Sequence, residues 1–507
     1  MSEPTEKSGS IGWTLELTVF ICGALVMIYE IIGSRIVAPY LGASTYVWTS
    51  LIGVILGALS LGYWLGGRTA DSRPHVGVLA TVIFTAGGLV GLTILLKDFA
   101  LAAISEAPFW LEIKTFIAAF LLFAPASVAL GFVIPYATKL RLGSLEDSGK
   151  TVGRLYALST VGSIAGTFLA GFVLIPFVGS VRTLYLIAIV LFALAIVLGG
   201  FAFTRHNFAL ITIFVLGVAG SEGTAFLLFR SNNLYDIDTE YSRVRVFDTK
   251  DPYTGRMMKA LATDPSSVQS ARYLDSDDLA LAYTRFYHLV RFYKPDHKNA
   301  LMIGGAGYSF PQAHLRGYPN ATIDVVEIDP GMTRIARRFF GLTYDPRLNI
   351  YHNDGRVFLK NAASDSYDVI FMDAFGSLFS VPYQLTTVEA VRDMHRSLTD
   401  DGVVIFNIGS AISGPASSFL RAEFATYRSI FADVHLYKVR ADSADERLQN
   451  LMIVACKTQC ISESGFEVTS VNKLLANRYT GTVPADLPIL TDDLAPVERY
   501  NSLAQGY

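Results

Sequence analysis

Charged side chains are rare in the first half of this 507-residue chain and common in the second half. Residues 12–229 contain 20 Asp, Glu, Lys or Arg side chains in 218 positions, whereas residues 230–507 contain 62 in 278. A surface with so few charges cannot be hydrated in water, and this composition is typical of helices in lipid. The sequence therefore predicts an α-helical membrane domain followed by a domain that lies in water.

Seven apolar segments in the first half approach the ~20 residues that a helix needs to cross a bilayer. They lie at about 13–34, 46–67, 76–96, 115–138, 153–178, 182–204 and 207–229. A cleaved signal peptide is not expected, because acidic residues precede the first segment and further apolar segments follow it directly.

Cysteine content and net charge exclude several classes of site. Cys22, Cys456 and Cys460 leave an odd count and lack the spacing of metal ligands, so neither a disulfide framework nor a metal site is expected. The formal charge of −3 gives no indication of nucleic-acid binding.

The second half alternates strands and helices. Val244 and Val246 alternate with Arg243 and Arg245, which predicts the first strand of a small β-hairpin. A helix is predicted at 279–292, then strands near 299–304, 322–328, 348–353, 367–373, 402–407, 434–439 and 450–456, with helices near 330–340, 385–398 and 415–430. This order predicts an α/β Rossmann-like domain of the methyltransferase type with a mostly parallel sheet. The predicted domains are 1–230, 231–265 and 266–507.

Two consecutive strand ends carry the residue types of a nucleoside-binding site. A buried strand runs into Gly304, Gly305 and Gly307, where the missing side chains let the backbone approach a ligand. Glu327 ends the next strand, about 20 residues on, where a carboxylate can bind both hydroxyls of a ribose. This order predicts an adenosine cofactor. The alternative is that the glycines are structural and that Glu327 caps a helix or lies on the surface.

Two further carboxylates follow strands of the same domain. Asp354 closes the third strand, where it can accept a hydrogen bond from an adenine amino group. Asp373 ends the fourth strand, where it could accept the proton of an amine that attacks carbon next to a sulfonium. A turn residue is the alternative for Asp373. Asp329, which precedes Pro330, fits a helix cap as well as a functional role.

An acidic cluster near the C-terminus fits a cationic amine substrate. The cluster contains Asp492, Asp493 and Glu498. Tyr283, Tyr287 and Tyr383 could enclose the methylene chain of such an amine. A solvated loop is the alternative interpretation of the cluster.

Between residues 235 and 507 a series of motifs follows one order and spacing. They are the strand 240–246, Gln269, Tyr283, Val326-Glu-Ile-Asp-Pro330, Asp345-Pro-Arg347, Asp354-Gly-Arg356, Tyr367 to Asp373, Asp373-Ala-Phe375, the run Pro382 to Glu389, and Leu490 through Glu498. Together they resemble the polyamine aminopropyltransferases, the spermidine synthase family, and in particular its membrane-fused bacterial branch.

The resemblance implies a transferase of polyamine biosynthesis. Such an enzyme moves an aminopropyl group from decarboxylated S-adenosylmethionine to an amine and releases methylthioadenosine. The resemblance assigns the ribose to Glu327, the adenine to Asp354 and the role of general base to Asp373. Gln269 and Tyr283 would line the side of the cofactor on which the substrate binds. No metal is implied, and homodimerisation stays open.

Two positions depart from the family's pattern, and each loses a carboxylate. Gly307 stands where the family's glycine loop has an Asp that contacts the ammonium of the aminopropyl arm. Gly376 stands at the final position of the family's later Asp-Ser-Ser-Asp. Less negative charge near the donor's tail relaxes the repulsion of an intact carboxylate. S-adenosylmethionine itself is then a second candidate donor, and methyl or 3-amino-3-carboxypropyl transfer are alternative reactions.

Topology and function class stay open at this point. Basic residues place the loops after the second and fourth segments in the cytoplasm, so that seven crossings put the second half outside. The supply of a sulfonium nucleoside favours the opposite side. Either the helix count is wrong by one, or the charge rule fails here, or the membrane half delivers a ligand to an external active site. We expect a bacterial inner (plasma) membrane protein with a cytoplasmic second half. A polyamine or nucleoside transporter, or a sensor with a non-catalytic second half, is the alternative from another class.

Overall fold

The computed structural model describes residues 5–142, 148–200, 204–263, 267–374, 381–460 and 469–504. The chain separates into two compact units, Met1–Ser231 and Asn232–Tyr507.

The described part of the first unit is built from helices. They are α1 (Thr5–Leu41), α2 (Thr45–Ser72), α3 (Val76–Glu106), α4 (Leu111–Gly131), α5 (Val133–Arg141), α6 (Ser148–Leu169), which continues as a π-helix (Ala170–Val178), α7 (Ser180–Gly199) and α8 (Arg205–Asn232). When α4 is joined to α5 and α6 to its π-helix, seven helical segments in the described residues are long and apolar enough to cross a membrane. The seven predicted segments are therefore confirmed as helices.

Glycines let these helices pack closely. A Cβ on Gly162 or Gly166 of α6 would lie 2.1 or 2.3 Å from the carbonyl oxygens of Phe20 and Ala24 on α1. Only a residue without a side chain permits this approach, which is typical of helices packed in lipid.

Ion pairs connect helix ends in the first unit. Glu16, near the start of α1, lies 3.6 Å from Arg141 at the end of α5 and 2.8 Å from Arg154 at the start of α6. Lys139 of α5 lies 2.7 Å from Asp71 at the end of α2. The two basic loops therefore lie at the same end of the helices, in agreement with one side of a membrane for both.

The second unit begins with an antiparallel sheet in the order β1-β2-β3-β4. Its strands are β1 (Tyr235–Asp238), β2 (Arg243–Lys250), β3 (Met257–Ala262) and β4 (Ser270–Tyr273). The predicted subdomain, a β-hairpin that ends at residue 265, is smaller than the observed sheet. The short strand β4, which contains Ser270 and Arg272, extends the sheet beyond that residue. Val244, Val246 and Leu261 of this sheet form a buried cluster with Met332 and Ile335.

A seven-stranded sheet forms the centre of the second unit, in the order β10-β11-β9-β8-β5-β6-β7. Its strands are β5 (Asn299–Ile303), β6 (Thr322–Val326), β7 (Leu348–Tyr351), β8 (Tyr367–Met372), β9 (Leu398–Ser410), β10 (Asp433–Lys438) and β11 (Gln449–Cys456). β11 runs antiparallel to both of its neighbours, whereas the five strands from β9 to β7 are parallel. The predicted Rossmann-like architecture is confirmed. Because β5 lies between β6 and β8, the carboxyl ends of these three strands form the crevice in which such sheets bind ligands.

Helices cover the faces of this sheet. They are a 3-10 helix (Ala282–Leu289), α9 (Val290–Tyr293), α10 (Ser309–Gly317), α11 (Pro330–Phe339), α12 (Gly355–Asn361), a 3-10 turn (Tyr383–Leu385), α13 (Val388–Ser397), a 3-10 turn (Pro415–Ser417), α14 (Ser418–Arg428), α15 (Thr469–Leu475) and α16 (Val497–Ala504). The predicted helix at 279–292 is mainly a 3-10 helix. The short helices α10 and α12 were not predicted, because neither is long enough to show a clear apolar period.

A disulfide joins Cys456 to Cys460, with the Cα atoms 5.6 Å apart. The expectation of no disulfide was therefore wrong. Cys456 ends β11, and the chain turns after the strand so that Cys460 returns to it, which the sequence spacing alone did not indicate. Cys460 also lies near the potential metal ligands Asp433 and His435, but a disulfide sulfur is not a thiolate ligand.

Candidate active site

The loop after β5 makes direct backbone contact with the end of β8. Gly304 has a φ of +97°, and a Cβ on it would lie 2.3 Å from the carbonyl oxygen of Asp373. The backbone N–H of Asp373 donates to the carbonyl oxygen of Ile303 at 2.9 Å. A glycine is required at position 304 for both its conformation and this contact. The structure therefore places the predicted loop and the predicted base side by side.

Glu327, at the end of β6, supports the same loop. One carboxylate oxygen accepts hydrogen bonds from the backbone N–H groups of Gly305 and Ala306, both at 2.9 Å, and the other accepts from Asp329 at 2.9 Å. Burial raises the pKa of Glu327, and the three N–H groups partly offset this effect. A carboxylate has about four lone-pair sites, so Glu327 retains capacity for ribose hydroxyls. The side chain orders the glycine loop, and its role toward a ribose stays a prediction.

Tyr308 anchors the glycine loop through its buried side chain, a role that was not predicted from the sequence. Its buried hydroxyl lies 2.8 Å from that of Thr333, which in turn lies 3.0 Å from His352 Nε2. Tyr308 has a φ of +55° and Ala306 a φ of +43°, a region that favours glycine. A Cβ on Gly305 would lie 2.7 Å from the ring of Tyr308. A large aromatic residue directly after the glycines was the sequence signal for this anchor.

The structure explains why a carboxylate is missing at position 307. A Cβ on Gly307 would lie 2.4 Å from the hydroxyl oxygen of Ser270 and 3.1 Å from the ring of Phe340. The place that an aspartate side chain would take is therefore occupied by two other side chains. The other departure, Gly376, lies outside the described residues, as does Phe375.

Asp373 is held by two side-chain donors. Its Oδ2 accepts from the hydroxyl of Tyr283 at 3.2 Å, and its Oδ1 accepts from Nδ2 of Asn407 at 3.2 Å. The Oδ1 of Asn407 accepts from Nδ2 of Asn450 at 3.1 Å. Burial raises the pKa of Asp373 to about 6, against the effect of the hydrogen bonds from Asn407 and Tyr283. A carboxylate with this pKa is ionised at neutral pH and suited to accept a proton.

A cavity of about 480 Å³ opens in front of Asp373. Four of the other predicted site residues line it, namely Gln269, Tyr283, Gly304 and Gly305. Its wall also contains polar residues that the sequence analysis did not select, which are Asn407, Arg440, Arg447, Gln449, Asn450 and Asn501. Most of these come from β9, β11 and the segment before β11, where no motif marked them.

Other predicted residues have structural contacts outside this lining. Asp354 caps α12, because its Oδ1 accepts from the backbone N–H of Val357 at 3.0 Å. Asp329 caps α11 by accepting from Gly331 at 2.8 Å, which supports the capping interpretation. The adenine role of Asp354 stays a prediction.

The predicted substrate residues beyond Tyr283 also lie outside the cavity lining. Asp492 accepts from the hydroxyl of Thr387 at 2.6 Å and lies 3.4 Å from Arg356. Tyr287 is buried, and its hydroxyl donates to the carbonyl oxygen of Met372 at 3.2 Å. Asp493, Glu498, Tyr383 and Gly307 are likewise absent from the lining of this cavity. Their roles in binding stay predictions.

Comparison with known proteins identifies the domain around this cavity. Residues 282–440 match the model of the spermine/spermidine synthase domain. A polyamine aminopropyltransferase of Vibrio vulnificus is 27% identical over 284 residues, which cover 54% of this chain and 92% of the relative. These matches support a transferase domain of the spermidine synthase type in this chain. Glu327, Asp354 and Asp373 all lie within the matched residues.

Similarity within the family extends into the helical unit. Polyamine aminopropyltransferase 1 of Ralstonia nicotianae is 25% identical over 450 residues, covering 82% of this chain and 79% of the relative. That length exceeds the second unit alone. The crystal structure of a probable spermidine synthase from Corynebacterium glutamicum is similar over 53% of this chain and 93% of its own, with 22% identity and a TM-score of 0.41.

Proposed function

We propose that the protein is a membrane-anchored transferase that moves an aminopropyl group from a sulfonium nucleoside to an amine. The observation that carries this proposal is the contact between the glycine loop at Gly304 and Asp373, in front of a cavity with space for an acceptor. Similarity to the spermidine synthase family supports decarboxylated S-adenosylmethionine as the donor.

The reaction needs one new bond and one broken bond. The nitrogen lone pair of the acceptor forms a bond to the carbon next to sulfur, while the carbon–sulfur bond breaks and its electron pair stays on sulfur. The sulfonium becomes the neutral thioether of methylthioadenosine, and the nitrogen loses a proton. Asp373, held by Tyr283 and Asn407, is the acceptor of that proton.

Binding of the nucleoside is assigned to the loop and to the ends of β6 and β7. Glu327 would accept hydrogen bonds from the ribose, because its carboxylate faces the loop at the end of β6. Asp354 would accept from the adenine amino group at the start of α12. Gln269 and Tyr283, both in the cavity lining, would contact the reacting end of the donor and the acceptor.

The seven long apolar helices support anchoring in a bacterial inner membrane. We place the catalytic unit in the cytoplasm, where sulfonium nucleosides are made. Extraction of membranes with alkaline carbonate tests the anchor, because a peripheral protein is released and a spanning one stays in the pellet. Recovery of the full-length chain in the supernatant would refute the anchoring.

Product analysis tests the reaction. Full-length protein in detergent is incubated with decarboxylated S-adenosylmethionine or S-adenosylmethionine and an amine, and the released nucleoside is identified. Methylthioadenosine indicates transfer of a propyl-type group, whereas S-adenosylhomocysteine indicates methyl transfer. If neither nucleoside exceeds the amount that an Asp373→Asn variant releases, the unit is a sensor rather than an enzyme.

A further inference from the structure

The charges in the cavity do not match a simple diamine. Among its described lining residues the ionisable groups other than tyrosine are Asp373, Arg440 and Arg447. A diamine carries two positive charges and would face two guanidinium groups and one carboxylate. Like charges that meet at a binding site reduce affinity, whereas opposite charges favour it. The cavity is therefore better suited to a ligand that carries a negative group as well as an amine.

Arg447 is available to such a group, and the partners of Arg440 leave part of its guanidinium for a second contact. Neither a hydrogen bond nor an ion pair from the guanidinium of Arg447 to another described residue is present. Arg440 stacks on the ring of Tyr253 at 4.5 Å, donates to the Tyr253 hydroxyl, and lies 3.9 Å from the highly exposed Asp442. Asp445, the other acid in this segment, pairs with Lys438 at 2.8 Å. Guanidinium groups bind carboxylates through two parallel hydrogen bonds, which favours a carboxylate over a point anion.

The same wall contains acceptors that lack donors. Oε1 of Gln449 and Oδ1 of Asn501 are buried and have no hydrogen-bond partner among the residues that the structure describes. Buried polar atoms are normally paired, so an orphaned acceptor in a cavity indicates a missing donor. An ammonium group supplies three N–H donors. Gln449 is adjacent to Arg447, because its Nε2 donates to the carbonyl oxygen of Arg447 at 3.3 Å.

Hydrogen bonds connect this wall to the reacting centre. Asn450, which follows Gln449, donates to Asn407, and Asn407 donates to Asp373. The arginines, the orphaned acceptors and the base therefore belong to one cavity.

We propose that this wall binds the α-amino-acid group of a reactant, with Arg447 and Arg440 on its carboxylate and Gln449 and Asn501 on its ammonium. The inference rests on the proposed function and specifies its substrate class. The amino-acid group has two sources. It belongs either to an amino-acid acceptor with a side-chain amine or to an intact S-adenosylmethionine donor. With that donor, the same displacement at the carbon next to sulfur transfers a 3-amino-3-carboxypropyl group in place of the aminopropyl group and still releases methylthioadenosine.

Two matched pairs of compounds separate these sources. Decarboxylated S-adenosylmethionine and S-adenosylmethionine differ in one carboxylate, and so do putrescine and ornithine. The four donor–acceptor mixtures are given to the full-length protein, and nucleoside release is measured as kcat/KM. We expect the mixture without any carboxylate to be slower by at least about tenfold than one with a carboxylate, given the strength of an Arg–carboxylate pair. The faster donor or the faster acceptor identifies the source.

Arginine variants link the preference to this wall. Arg447→Gln should remove the gain from the carboxylate, mainly through KM, so that the mixtures with and without a carboxylate react at similar kcat/KM. Arg428→Gln, on an exposed face of α14 outside the cavity lining, is the matched control and should keep the gain. If the carboxylate-free mixture is the fastest, or if Arg447→Gln leaves the preference intact, the inference fails while the proposed function stands. Release of no nucleoside in any mixture refutes the proposed function and the inference with it.

Discussion

The hydroxyl of Tyr283 donates a hydrogen bond to Oδ2 of Asp373 at 3.2 Å. A residue that precedes the seven-stranded sheet in the sequence therefore affects the pKa of a residue at the carboxyl end of β8. This hydrogen bond favours the ionised carboxylate and works against the burial that raises the pKa of Asp373 to about 6. The relationship leads directly to a pH dependence.

Transferase activity should rise with pH through about 6 and then level off, because Asp373 must be ionised to accept a proton. Tyr283→Phe removes a donor to the carboxylate and should move the midpoint of this rise to higher pH. The measurement is kcat against pH for both proteins. An unchanged midpoint in Tyr283→Phe would show that another group controls the profile.

Asp373→Asn should lower kcat by about 10²–10⁴, the usual contribution of a general base. Asp368→Asn is the matched control, since Asp368 lies at the start of β8, the strand that leads to Asp373, and accepts from the backbone N–H of Lys298 just before β5. Its activity per folded molecule should stay near that of the wild type. Equal losses in both variants would argue against a specific role for Asp373.

The same Asp373→Asn substitution should stabilise the second unit at neutral pH. The pKa of Asp373 in the folded protein, about 6, lies above its usual 3.8, so the folded state disfavours the charge. The wild type is therefore relatively most stable at low pH, and this contribution is lost as pH rises from about 4 through 6. The loss corresponds to at most about 3 kcal/mol. Thermal unfolding should show a higher Tm for Asp373→Asn at pH 8 and little difference at pH 4; a lower Tm at pH 8 would contradict this sign.

Gly304→Ala should abolish donor binding and destabilise the fold, because the added Cβ would lie 2.3 Å from the carbonyl oxygen of Asp373. Gly414→Ala is a matched control, since Gly414 also has a positive φ, +73°, but open space around it. The control should lose only the ~1–3 kcal/mol that such a backbone conformation costs a residue with a side chain. Calorimetry measures donor binding, and thermal unfolding gives the Tm of both variants. A loss of donor binding in Gly304→Ala alone is due to the contact with Asp373, whereas an equal loss in both variants would contradict this assignment.

A cytoplasmic catalytic unit predicts that Cys456 and Cys460 are thiols in cells, because the cytoplasm keeps such pairs reduced. Cys460, which is partly exposed, should then react with a membrane-permeant maleimide in intact cells without prior reduction, and the buried Cys456 should react once the protein is denatured without a reducing agent. If they react only after a reducing agent is added, the disulfide exists in the cell. The catalytic unit would then lie in an oxidising compartment, as the basic loops and seven helices indicate.

The sequence predicted the seven apolar helices, the seven strands of the main sheet and the positions of Gly304, Glu327 and Asp373. Such features depend on local patterns, since apolar length, residue alternation and turn residues act over a few neighbours. The sequence predicted only part of the four-stranded sheet and neither of the short helices α10 and α12. Their segments are too short to show a regular spacing of apolar residues.

The wall of the cavity was decided by tertiary structure alone. Asn407, Arg447 and Gln449 are polar residues without a motif, and only the pairing of β9 with β11 brings them to Asp373. The same is true of Tyr308, whose buried hydroxyl is paired with that of Thr333 from α11. Sequence determined which strand ends could hold a nucleoside, because that chemistry follows the local order of residues. The partners that face it come from distant segments, and their meeting depends on how the strands are arranged in the sheet.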